Sequence, residues 1–122
     1  MDGHPDFSPA GDRIVFTSMR GGNPDIWVMD ASGQHLARLT DHPAEDWHPR
    51  WAPKGERILF SSSRDGEGDI WVVNSDGTNL TKLTSMPGLT DRAVWSPDGA
   101  RVVFQYDGDL WLVGSGGGTP TD

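Results

Sequence analysis

His4, His48 and Arg92 follow one another at intervals of 44 residues, in the segments DGHP (2–5), DWHP (46–49) and TDRA (90–93). Imidazole nitrogens are ordinary ligands for transition metals, and a guanidinium fork suits a carboxylate or phosphate. Three such side chains brought to one place would offer two chemistries. One is a divalent metal held by His4 and His48. The other is capture of an anion or peptide by His4, His48 and Arg92, bordered by Asp46, Trp47 and Asp91. The plainer alternative is structural: each imidazole hydrogen-bonds the backbone of a neighbouring unit and locks the two together. Catalysis has less support. Ser8 and Ser96 sit in turn sequences, and neither a G-x-S-x-G elbow nor an H-E-x-x-H metal motif nor a glycine-rich phosphate loop is present.

The spacing of these residues belongs to a repeat. Phe7, Trp51 and Trp95 fall at the same interval, as do Phe16, Phe60 and Phe104. Trp27 maps onto Trp71 at 44 residues, but Trp71 maps onto Trp111 at only 40. The missing residues lie in one loop, where RGGNPD (20–25) and RDGEGD (64–69) are replaced by Asp107-Gly108 between Tyr106 and Asp109. Asp-Gly is a favoured two-residue hairpin turn of type I′, because both central positions take positive φ. The register on either side is therefore expected to survive.

Each unit reads as four strands. An inner strand ends at Phe7, Trp51 or Trp95. A proline–glycine turn follows, SPAGD (8–12), APKGE (52–56) or SPDGA (96–100). RIVFTS (13–18), RILFSS (57–62) and RVVFQY (101–106) form the second strand; DIWVMD (25–30), DIWVVN (69–74) and DLWLVG (109–114) form the third. Neither set alternates with polar residues, so both of its faces are expected to be buried. HLARLT (35–40), NLTKLT (79–84) and a truncated TPTD (119–122) supply an outer strand. The fold class is therefore all-β, with β-propeller blades of four antiparallel strands, divided as residues 1–40, 41–84 and 85–122. A β-sandwich also has short strands and regular turns, but it does not repeat them in sets of four. Arg20 with Asp25, and Arg64 with Asp69, flank the long loop and are expected to clamp it. Most of the six Trp are repeat-core positions; Trp47 is the exception, expected at the surface.

Composition narrows the partners. Sixteen Gly and nine Pro sit at regular intervals, as punctuation for tight turns. A formal net charge of −8 lacks the basic footprint of a nucleic-acid binder. The absence of Cys removes disulfide and thiolate chemistry, and no run has the length of a transmembrane segment.

The pattern H-P-x-[FW]-[SA]-P-x-G-x-R-I-x-F-x-S-x-R-x-G-x-x-D-I-W-V resembles the blade repeat of TolB-like propellers, and it runs through nearly the whole chain. The third unit departs from it, losing the Arg of S-x-R. The resemblance implies a six- or seven-bladed ring, a bacterial origin, a periplasmic setting and the binding of other proteins. Similar blades flank the catalytic domain of prolyl-oligopeptidase-like peptidases and build some metal-dependent oligogalacturonate lyases. The architecture thus leaves function open.

Three blades do not close a ring, since propellers usually carry four to eight. Unit one keeps Phe7, Ile14, Phe16, Ile26 and Trp27, and unit three keeps Trp95, Val102, Phe104, Leu110 and Trp111. Each large apolar side chain left in water forfeits roughly 1.5–3 kcal/mol. Two copies joined head to tail twice would give a closed six-bladed homodimer; the plainer alternative is that the three blades are a segment of a longer propeller. The sequence therefore favours a non-enzymatic scaffold for self-assembly and protein or peptide binding. The alternative is a lyase-like or peptidase-associated propeller with a metal or anion site at the channel mouth.

Overall fold

The computed structural model describes residues 2–66, 68–88 and 90–122. Among them are twelve strands and no helix, arranged as three four-stranded antiparallel sheets in sequence order. The first sheet holds β1 (Asp2–Phe7), β2 (Arg13–Ser18), β3 (Asp25–Asp30) and β4 (Ala37–Arg38). The second holds β5 (Asp46–Trp51), β6 (Arg57–Ser62), β7 (Asp69–Asn74) and β8 (Thr81–Lys82). The third holds β9 (Thr90–Trp95), β10 (Arg101–Tyr106), β11 (Asp109–Gly114) and β12 (Gly117–Thr121). These are three propeller blades.

The proline–glycine turns close each β1–β2 type hairpin by the same two bonds. Ser8 N donates to Arg13 O and Gly11 N to Ser8 O at 2.9 and 2.8 Å; Ala52, Gly55, Ser96 and Gly99 repeat the pattern. Gly11, Gly55 and Gly99 take φ of 76°, 76° and 72°, which a side chain would strain. In the third blade Tyr106 pairs with Asp109 across Asp107 and Gly108, whose φ values of 51° and 87° are those of the type I′ turn.

Why the second and third strands lack a polar face is clear in the middle blade. Ile58, Phe60 and Val73 point into a cluster with Val15, Ile26 and Val28 of the first blade, while Leu59, Ile70 and Val72 point into a cluster with Val102, Phe104 and Val113 of the third. Strand side chains alternate between faces, and each face of this sheet meets another sheet.

The end blades correct the expectation drawn from the sequence. In the third blade Val102 and Phe104 are buried against the middle blade, and Trp95 and Trp111 pack beside them, so these residues are not uncovered. The open face of that blade carries Val103, Leu110 and Leu112, with Leu110 68% exposed. In the first blade Ile26 is buried against the middle blade; the open face carries Phe7, Ile14, Phe16 and Met29, but Phe16 is itself buried beneath the Arg20 guanidinium rather than left in water. Phe7 is 61% exposed, whereas its equivalent Trp51 is 6% exposed.

The outer strands are also corrected. β4 and β8 span two residues each rather than six, because beyond Arg38 and Lys82 the chain turns inward. Leu39 N bonds Ile26 O and Leu83 N bonds Ile70 O, both at 2.8 Å, which starts the linker to the next blade. β12 is the longest outer strand at five residues, with Thr121 opposite Leu112 as Ala37 is opposite Val28.

Candidate functional site

Every inner strand carries a β-bulge at the same place. Between Gly3 and Asp6, and again between Trp47 and Arg50, two residues oppose one on the neighbouring strand; β9 has the corresponding irregularity between Asp91 and Val94. His4, His48 and Arg92 are the residues that absorb it, with φ of 51°, 56° and 54°. A left-handed backbone costs a non-glycine residue about 1–3 kcal/mol, and a bulge re-aims the side chain it carries. Histidine tolerates this region better than most residues. The three residues predicted to share one mouth thus share one local geometry.

Within one chain the structure brings together the two imidazoles. Their ring centroids lie 4.2 Å apart at an interplanar angle of 66°, and His4 also meets the Trp47 ring edge-on at 5.7 Å. A small cavity of about 70 Å³ is lined by these two rings with Pro5, Pro49 and Arg50. Trp47 is half-buried rather than exposed, and its indole N–H donates to Glu45 Oε2 at 3.2 Å. Arg92 is exposed and borders a wider cleft of about 720 Å³ with Pro87, Gly88, Gln105, Tyr106, Asp107 and Gly108. The short Asp107-Gly108 turn opens that cleft by replacing a longer loop. The Asp91 side chain lies outside the described residues.

Asp46 does not present its carboxylate at the rim. It is fully buried and paired with Arg64 Nη2 at 2.9 Å. A metal reading of His4 and His48 meets a similar limit: among the described residues no group of three or more His, Cys, Asp or Glu is gathered in one chain. The two imidazoles alone fall short of the three or four protein ligands of common zinc sites.

The expected clamp between Arg20 and Asp25, or Arg64 and Asp69, does not form. Arg20 turns back to Ser18 and Asp2 at 2.8 Å each, and Arg64 to Ser62 and Asp46 at 2.9 Å each. Both guanidiniums lie over aromatic rings on the way, Arg20 over Phe16 and Trp27, Arg64 over Phe60 and Trp71. Asp25 pairs instead with Arg38, and Asp69 with Lys82 Nζ at 3.2 Å. Thr40 and Thr84 complete that second network, their hydroxyls accepting from Ile26 N and Ile70 N at 2.9 and 3.0 Å. Sequence reasoning missed both networks, although a signal was present. Asp2 and Asp46 become Thr90 at the point where Arg20 and Arg64 lose their counterpart, so the two positions change together. Tyr106 then takes the place of the arginine against Trp111, edge-on at 5.8 Å.

These features can be set beside known proteins. The structure is similar to that of a putative TolB from Agrobacterium tumefaciens, with a TM-score of 0.86 and 30% identity, covering 95% of this chain and 46% of that one. TolB from Acinetobacter baumannii gives a TM-score of 0.79 at 27% identity, covering 98% of this chain and 31% of that one. The Tol-Pal system protein TolB of Anaeromyxobacter dehalogenans is 48% identical over 40 residues, which is 33% of this chain and 9% of that protein. The chain therefore spans less than half the length of these relatives. An oligogalacturonate lyase and a dipeptidyl peptidase, at 20% and 18% identity, share the fold alone. Residues 1–110 match the TolB beta propeller domain, and the chain belongs to that family.

Proposed function

We propose that this chain is a non-enzymatic propeller scaffold that binds a protein or peptide at its channel mouth and completes a six-bladed ring with a second copy. The observation that carries the reading is the pair of open faces. Val103, Leu110 and Leu112 stand where Leu59, Ile70 and Val72 stand in the middle blade, and Phe7, Ile14, Phe16 and Met29 stand where Trp51, Ile58, Phe60 and Val73 stand. Each open face thus repeats one half of an interface already formed inside the chain. A head-to-tail pairing of two copies closes both faces at once, which ends growth.

In the closed ring, His4, His48 and Arg92 would occur twice around one opening, with Trp47 beside them. Imidazoles, guanidiniums and an indole suit a peptide that carries a carboxylate. Selection of peptides from a displayed library on the purified protein tests this. Peptides that lose binding to Arg92→Ala and His48→Ala support the mouth as the site; binding indifferent to both refutes it.

The 4.2 Å contact of His4 and His48 favours a second reading, a mouth that binds a divalent metal with ligands from both copies. Metal analysis of the purified protein distinguishes it. Stoichiometric metal lost in His48→Ala would support a metal centre, and its absence from the native protein leaves the scaffold reading standing.

A further inference from the structure

Three contacts recur wherever one blade meets the next. The Arg13 guanidinium lies over the Trp51 ring at 5.4 Å, and Arg57 lies over Trp95 at 5.0 Å. A Cβ placed on Gly55 would touch Pro9 Cδ at 3.5 Å, and one on Gly99 would touch Pro53 Cδ at 3.6 Å, so each turn proline nests against the turn glycine of the following blade. At the mouth edge Asp46 N donates to Pro24 O at 2.9 Å, and Thr90 N donates to Gly68 O at 3.0 Å. Each contact has a donor half and an acceptor half displaced by one blade.

The unmatched halves are all at the two ends of the arc. Arg101, the equivalent of Arg13 and Arg57, is exposed on the open face of the third blade, and no ring lies under it among the described residues. Phe7, the equivalent of Trp51 and Trp95, is 61% exposed. A Cβ on Gly11 would meet nothing within 4 Å, where Gly55 and Gly99 meet a proline.

Resting on the ring closure proposed above, we infer that the seam between copies is a fourth instance of this interface, in the same register. Arg101 of one copy stacks on Phe7 of the other, and Pro97 nests against Gly11. Phe7 makes the seam differ from the two internal interfaces, because phenylalanine is a poorer partner for a guanidinium than tryptophan. The seam is therefore built to be weaker than the contacts within a chain.

A double-mutant cycle on the dimer dissociation constant tests the register. Phe7→Trp restores the ring used at the internal interfaces. A guanidinium–ring contact is worth about 0.5–1 kcal/mol. With two seams per dimer, and part of each contact already made by Phe7, the substitution is expected to tighten the dimer by at most about 5- to 30-fold. In Arg101→Ala that gain should disappear, while Arg101→Lys should keep part of it. Sedimentation equilibrium reads the constants, and thermal melts confirm that each variant folds. A dimer in which the effects of positions 7 and 101 simply add would overturn the register and leave ring closure standing. A monomer at every concentration would overturn both.

Discussion

Arg64 reaches back along its own blade to the buried carboxylate of Asp46, past the rings of Phe60 and Trp71, and accounts for a charge that would otherwise be stranded in the core. Removing one partner of a buried pair leaves the other uncompensated, at a cost of about 3–5 kcal/mol. Arg64→Ala should therefore shift the urea midpoint far downward. The equivalent pair in the first blade, Arg20 with Asp2, is largely exposed. In the Leu110→Asp monomer, where the open face of the first blade stays uncovered, Arg20→Ala should cost under about 1 kcal/mol beyond lost packing on Phe16 and Trp27. Equal losses in the two variants would contradict this assignment.

Thr84 joins the outer edge of the middle blade to its core. Its hydroxyl accepts from Ile70 N at 3.0 Å and donates to Asp69 Oδ1 at 2.9 Å. Thr84→Val keeps the shape and strands the buried Ile70 N–H, so a loss of about 1–3 kcal/mol is expected in chemical denaturation. A change within a few tenths of a kcal/mol would show that the strand end relaxes to find another partner.

The third turn supplies a test by pH. A hydrogen bond from Ser96 holds the Asp98 carboxyl below its ordinary value of 3.8, helped by the Ala100 backbone N–H. A carboxylate depressed in the folded state adds stability above about pH 3.8, and that stability is lost as the pH falls through the folded value. Ser96→Ala should raise the Asp98 titration midpoint, measured by NMR of the side-chain carboxyl. The stability gap between native protein and variant should close on acidification below pH 3.8. A gap that widens there would have the wrong sign.

The hairpins and their register were legible because each rests on local chemistry. Proline and glycine set the 8–12, 52–56 and 96–100 turns, and Asp107-Gly108 set the short one. The destinations of Arg20 and Arg64 were not legible, since flanking a loop says nothing about which way a long side chain folds. The packing of Trp95 and Trp111 against the middle blade was not legible for a related reason. A strand shows two faces, and the sequence of one blade does not say which face meets the preceding blade. At the mouth, the 44-residue spacing of His4, His48 and Arg92 reported a shared position, while their common left-handed backbone emerged only from the bulge in each inner strand.

The open faces lead to one decisive quantity, the molar mass of the purified 122-residue chain in solution, measured by light scattering across a size-exclusion peak. Ring closure by two copies predicts a single species of twice the 13.3 kDa chain mass, converted to monomer by Leu110→Asp. A monodisperse monomer, or a trimer, would contradict it.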